Sequence, residues 1–302
     1  MSYYILPVFF VIILGYVLKN CLFKENNFWG VVQTSTYYIF LPALLFENIS
    51  QIQAMHYSSL LMMSALLLSV LIISIFLFAI KPYINTNGHG FSSAFQGSLR
   101  QNVYIGMMGA STMLGDEGLM LSSIAMLGLV PLLNFLSVPT VIVYSNTELS
   151  KTRSIYLAIL KNPLIVASVA GLFISQHPVV LPDIFLQIFS ILGQAALPLG
   201  LLAVGASLQL RSVNLEQFKL IVLSSTVKLL IYPFLTAMIC YILGVSGSEL
   251  MVAILFASLP TAAGSFILAK ELGGDHLAMS SIITFQTIFS FITIPFMLAI
   301  LT

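Results

Sequence analysis

The chain has 302 residues, of which 59% are hydrophobic and only 7% are charged. Soluble domains carry about 25% charged residues, so a polytopic membrane protein is the class that remains. The net charge of +1 selects no partner, no nucleic acid is expected, and the two cysteines, Cys21 and Cys240, suggest neither a disulfide framework nor a metal site.

At about 20 residues per membrane span, ten apolar segments are predicted. They run over residues 3–22, 31–49, 57–80, 91–114, 118–144, 157–175, 184–208, 218–243, 250–269 and 277–301. The first has no basic leader and no small-residue cleavage site, so it is expected to stay as a membrane helix. Lys161 and Pro163 interrupt the start of the sixth. The longest polar connection, residues 145–161, divides the chain into 1–145 and 146–302.

The two parts echo one another. Pro7 and Gly15 recur as Pro163 and Gly171, and Leu41-Pro42 as Leu197-Pro198. Ser98-Leu99 recurs as Ser258-Leu259, and Gly115-Asp116 as Gly274-Asp275. Met120 and Ser122 recur as Met279 and Ser281. The interval is nearly constant, which reads as a duplicated five-segment unit. With the N-terminus outside, Lys19, Lys24, Lys81, Lys151, Arg153, Lys161, Arg211, Lys219 and Lys270 fall at inner loops or inner helix ends. Asp116, Glu117, Asp183 and Glu249 fall outside. That asymmetry follows the positive-inside rule and puts both termini outside. Five is odd, so the second unit starts on the opposite side and the repeat is inverted, as in many secondary transporters.

The most informative stretch is 257–265, in the ninth segment. Pro260 removes a backbone donor and clashes with the preceding turn, and Gly264 follows. Freed backbone groups in lipid must be buried in protein or face a wet cavity, so a helix broken in mid-membrane points to a binding site. Residues 96–106 form the matching polar stretch of segment four.

Leu14-Gly15-Tyr16, Phe40 to Ala43, Asn102 to Met107 and Leu268 to Asp275 stand in that order along the whole chain. On these motifs the chain resembles the auxin efflux carrier family of membrane permeases, which includes bacterial malate and malonate carriers. It implies an all-α membrane protein with ten transmembrane helices in two inverted five-helix repeats. Segments one, two, six and seven would form a scaffold domain, often a dimer surface. Segments three to five and eight to ten would form a transport domain, with broken helices four and nine crossing at the site. The family often has a proline after the Ile-Gly of segment four. Here Met107 and Met108 stand there, so the break is expected at Gly106, Gly109 and nearby polar residues.

Several residues could carry the site. Asn102, which matches the family's asparagine, could donate its amide to a carboxylate or simply cap a broken helix. Thr261 and Ser265 could offer hydroxyls, or back-bond to their own turn. Arg100 lies about 13 Å along segment four from its inner end, deep for snorkelling. Its planar fork suits a carboxylate, though a later helix start would leave it at the interface. Lys228 sits in the middle of segment eight with no carboxylate within helical reach. It could lie against the negative ends of two half-helices, with a gating or substrate role as the alternative. Asn134 and Gln286 are mid-helix amides that could be ligands or interhelical hydrogen bonds. His56, His89, His177 and His276 read as surface histidines, and Glu47 as interfacial.

The expected function is a secondary or facilitative carrier of small organic anions in the lipid bilayer. It is expected to use no cofactor and to work as a homodimer in a bacterial inner membrane. A sodium- or proton-coupled exchanger of related fold is the first rival, but it would want carboxylates in mid-membrane at the crossing, and segments four, five, nine and ten offer none. An intramembrane enzyme is disfavoured, because no His-Glu-x-x-His, paired intramembrane aspartates or Gly-x-Ser-x-Gly occurs. A receptor would not explain matched polar breaks, and no Walker sequence points to ATP.

Overall fold

The computed structural model of the chain describes residues 2–52, 56–84, 86–145, 162–177, 182–209 and 213–302. Among the described residues there are helices and no strand, which is what a chain this apolar requires, since a helix satisfies its own backbone polar groups in lipid. The helices are α1 (Ser2–Cys21), α2 (Asn26–Ser35), α3 (Leu41–Ser50), α4 (Tyr57–Ile80), α5 (Gly88–Leu99), α6 (Val103–Tyr144) and α7 (Pro163–Gln176). They continue with α8 (Asp183–Ser207), α9 (Leu215–Thr226), α10 (Tyr232–Leu243), α11 (Gly247–Ser258), α12 (Gly264–Glu271) and α13 (His276–Leu301). A π turn over Thr36–Phe40 joins α2 to α3, and another over Val227–Ile231 joins α9 to α10. Lys151, Arg153, Lys161 and Arg211, used above for orientation, and the 146–161 connection lie outside the described residues.

Side chains cap many of the helix starts. Asn87 accepts from the Gly90 N–H, Asn162 from Leu164 and Asp275 from Ala278. Asn214 and Gln217 form a reciprocal capping box. Gly244, in the left-handed region at φ 72°, ends α10.

Among the described residues, five stretches are long and apolar enough to cross a membrane: Tyr57–Tyr83, Gly88–Tyr144, Asp183–Ser207, Leu215–Leu243 and His276–Leu301. The second holds 57 residues, about 85 Å as a straight helix against a hydrocarbon core of about 30 Å. It is not straight. It is interrupted between Leu99 and Val103, and it turns at Gly115 (φ 63°, ψ −138°), a conformation open in practice only to glycine. A Cβ added to Gly118 would stand 2.1 Å from the Ala110 carbonyl oxygen. Residues eight apart in a straight helix are separated by about 12 Å, so α6 is a hairpin whose second arm folds back on its first.

The helices pack in two groups. In one, α1 and α3 lie along α7 and α8, drawn together by glycines. A Cβ on Gly15 would meet the Leu202 carbonyl oxygen at 2.2 Å, and one on Gly205 the Ile12 oxygen at 1.8 Å. Such backbone-to-backbone approach is the membrane use of small residues. Gly193 admits Leu44 and the Glu47 carboxylate in the same way, at 3.1 Å, so Glu47 packs between α3 and α8.

The other group contains α4, α5, α6 and α9 to α13. One end of it is tied by the loop between α12 and α13. The His89 ring nitrogen Nδ1 lies 2.6 Å from the Gly273 carbonyl oxygen, and the Ser93 and Ser145 hydroxyls donate to the carbonyls of Asp275 and Leu272 at 2.9 and 2.6 Å. His89 thus holds the loop rather than standing free at the surface.

The first half-chain's α6 joins the groups, packing against α1, α3, α7 and α8. The Tyr104 ring on α6 presses on Gly200 of α8, where an added Cβ would fall 2.2 Å from the ring. The Asn48 amide donates to the Ser123 hydroxyl at 3.3 Å.

Candidate functional site where two helix interruptions meet

The α5 helix stops at Leu99 because Arg100 is extended (φ −69°, ψ 135°). Helix resumes after Asn102, whose Oδ1 accepts the Ile105 N–H at 3.4 Å as an N-cap. The α11 helix stops at Ser258. Leu259 is extended (φ −64°, ψ 145°), as the residue before a proline prefers, and helix resumes at Gly264. The two interruptions touch: the Asn102 backbone N–H donates to the Pro260 carbonyl at 2.9 Å.

A helix that ends inside a protein leaves carbonyls without intrahelical partners, and three of the last four of α5 find donors. Gln96 O accepts the Arg100 N–H at 2.9 Å. Gly97 O accepts from the Gln286 amide at 3.0 Å and lies 2.7 Å from the Thr261 hydroxyl. That hydroxyl is also 2.6 Å from Gln286 Oε1, which accepts the Thr261 backbone N–H at 2.9 Å. Thr261 therefore turns to another helix rather than to its own preceding turn. Leu99 O accepts from Lys228 Nζ at 3.3 Å.

Lys228 is fully buried in the second π turn, a geometry frequent at functional sites. Its ammonium lies 4.4 Å from the centroid of the Tyr232 ring, a cation–π contact. The Tyr232 hydroxyl accepts from the Gln101 amide at 2.7 Å. No described carboxylate pairs with Lys228.

Arg100 is half-buried and donates through Nη1 to Asn134 Oδ1, on the second arm of α6, at 3.2 Å. Tyr37, from the π turn between α2 and α3, lies within electrostatic range of Arg100 and of Tyr104. These three half-buried side chains stand where the two helix groups face each other.

Among the expected residues, Thr261, Gln286 and Asn102 are brought to the junction itself. Arg100 and Asn134 pair beside it, and Lys228 sits behind Leu99. Ser265 lies on α12, buried and with no hydrogen-bond partner among the described residues. The expectation for Gly106 is corrected. It lies inside α6, not at a break, and the interruption falls earlier, over residues 100–102. Gly106 serves close packing instead, for a Cβ there would meet Leu259 Cδ1 at 2.6 Å. Gly264 begins α12 in open space, so Pro260 alone marks that break chemically.

Sequence reasoning passed over Gln96, Gln101, Tyr37 and Tyr104. Among the described residues, Gln96 is fully buried with both side-chain polar atoms unpartnered, and Asn102 Nδ2 is an unused buried donor. A glutamine in an apolar run is itself a signal, since such a group needs partners or water. The tyrosines give no such signal among twelve of their kind.

The junction offers amide, hydroxyl, guanidinium and ammonium donors and no carboxylate, so it suits an anion. It holds no nucleophile paired with a base. A profile of the membrane transport protein family matches residues 146–298. A protein of Rhizobium meliloti (strain 1021) named "Putative malonate transporter" is 25% identical over 310 residues, covering 96% of this chain and 92% of that one. With transporters on both counts, this integral membrane protein is a transporter rather than an enzyme. The chain belongs to the auxin efflux carrier-type membrane transport family.

Proposed function

We propose that the protein carries small carboxylates across the membrane by alternating access, with the meeting of the two helix interruptions as its binding site. The observation that carries this reading is Arg100, half-buried beside an interruption with no described carboxylate partner, next to the Asn102 amide, whose donor is unused among the described residues. Fixed donors without a counter-charge favour an anion, and the name of the Rhizobium relative makes malonate the first candidate. Thr261, Ser265, Asn134 and Gln286 complete or support the site.

The reading includes an architecture of ten spans in two inverted repeats, residues 1–145 and 146–302. The grouping of α1, α2, α3, α7 and α8 apart from α4, α5, α6 and α9 to α13 supports a scaffold and a transport domain. In this scheme the scaffold forms a homodimer, both termini face outward, and the membrane is a bacterial inner membrane. Lys228 supplies positive charge where a coupling cation would otherwise be needed, and its bond to the Leu99 carbonyl supports that role. Transport then needs no sodium.

The test is thermal unfolding of the purified protein with malonate, malate, acetate and an indole acid. A ligand of the native state raises its apparent stability. Malonate or malate is expected to raise the midpoint, and Arg100→Gln to abolish the rise. No shift with any carboxylate would sink the reading.

A further inference from the structure

Asn162 is the N-cap of α7, and its Oδ1 accepts the Leu164 N–H at 2.9 Å. That bond settles which way its amide points, because a cap must present oxygen to the helix. The other end is therefore NH2, and it donates to the Tyr37 hydroxyl oxygen at 2.9 Å. A hydroxyl has one proton and two lone pairs. With a lone pair engaged by Asn162, the Tyr37 proton points elsewhere, and no described residue accepts it. Tyr37 is half-buried on the first helix group and lies close enough to the half-buried Arg100 of the second to feel its charge.

An oriented donor without an acceptor among the described residues, near a guanidinium that no described carboxylate pairs, is one half of an anion site. We propose that Tyr37, set by Asn162, is a specificity residue: its O–H donates to one carboxylate of a short dicarboxylate whose other carboxylate is held by Arg100. The inference rests on the carrier reading above and adds to it the substrate class and a contact from the opposite helix group. A monocarboxylate would satisfy Arg100 alone and gain nothing from Tyr37. A dicarboxylate would span the gap between the groups and hold them in the arrangement seen here. The same tyrosine also leaves when the groups move apart, so the bridging contact exists in one arrangement of the carrier only.

The test measures malonate and acetate binding to the full-length protein in detergent, for the wild type and three variants. Tyr37→Phe keeps the ring and removes the O–H. It is expected to weaken malonate about tenfold or more, the worth of a hydrogen bond to a charged group, with acetate and the unliganded midpoint unchanged. Asn162→Asp keeps the cap but gives Tyr37 an acceptor, turning its proton away from the gap. It is expected to weaken malonate more than acetate, and it carries the test alone if Tyr37→Phe folds poorly. Arg100→Gln is expected to abolish binding of both. Equal loss of malonate and acetate in the tyrosine variant, or no loss of malonate, overturns the role of Tyr37 while an Arg100 effect leaves the carrier reading standing. A wild type that binds neither acid overturns both.

Discussion

The two helix interruptions are made by different means. The one in α11 is written by Pro260, which cannot continue the preceding helix, and by Leu259, which takes the extended conformation prolines impose. The one after α5 contains no proline and no glycine. Its residues are Arg100, Gln101 and Asn102, and the break exists because other helices accept its consequences. Thr261 and Gln286 take the Gly97 carbonyl, Lys228 takes the Leu99 carbonyl, and Pro260 accepts the Asn102 N–H. One break is therefore intrinsic to its own residues. The other is imposed from outside and should fail when its partners are removed.

The largest effect is expected from Lys228. Lys228→Met keeps the stem but leaves the Leu99 carbonyl without its donor in a dry interior, where an unsatisfied group costs about 1–3 kcal/mol. Transport in reconstituted vesicles should fall to background. Lys228→Arg should retain part of it, and wild-type uptake should be the same in sodium and potassium at equal ionic strength. Full activity of Lys228→Met would mean that the first interruption does not depend on this charge.

Next comes Thr261→Val, which removes a hydroxyl of nearly the same shape. It should lower the unfolding free energy by about 1–2 kcal/mol, because a buried carbonyl loses a partner. Gln286→Leu should do the same. Both residues serve the Gly97 carbonyl, so the double variant should be clearly non-additive. Strict additivity would show that the two act independently and that the carbonyl accounting is incomplete.

Asn102→Ala should cost about 1 kcal/mol as a lost N-cap, less than the loss at Lys228, since the backbone N–H still reaches Pro260. It should also weaken malonate, because Nδ2 is a buried donor with no other use. A stability loss with unchanged affinity would make Asn102 a cap and nothing more.

How much of this was legible follows from the chemistry of each residue. Helix α4 starts and stops where its apolar run does, at Tyr57 and Ile80, and Pro260 announces its interruption. The Gly115 turn falls at the gap between two predicted segments. The π turns at Thr36–Phe40 and Val227–Ile231 leave no trace in composition, because each inserts one residue into a helix of unchanged polarity. The first interruption, expected at Gly106, Gly109 and nearby polar residues, falls on the polar residues alone for a physical reason. Glycine is a breaker where the backbone can turn to water, but here the break is made by partners on the second interruption, α13 and the π turn that no local pattern shows. The Tyr37–Asn162 pair was hidden because its partners are 125 residues apart.

The smallest effect tests that correction directly. If Gly106 were a hinge, Gly106→Ala would stiffen the junction and slow transport at any stability. Inside a helix the same change removes backbone entropy from the unfolded chain and favours folding by about 0.5–1 kcal/mol. Against this, the new Cβ would stand 2.6 Å from Leu259 Cδ1 and 3.2 Å from the Phe256 ring. The first is the far end of a flexible side chain, which can turn aside at a cost of about 1 kcal/mol. The two contributions nearly cancel, so the unfolding midpoint should barely move and uptake should stay close to the wild type. Gly106→Val adds a branch that Leu259 cannot clear and should lose stability, while Gly264→Ala, with open space around it, should be neutral. A Gly106→Ala variant that folds as well as the wild type yet fails to transport would return Gly106 to the hinge and move the functional break along α6.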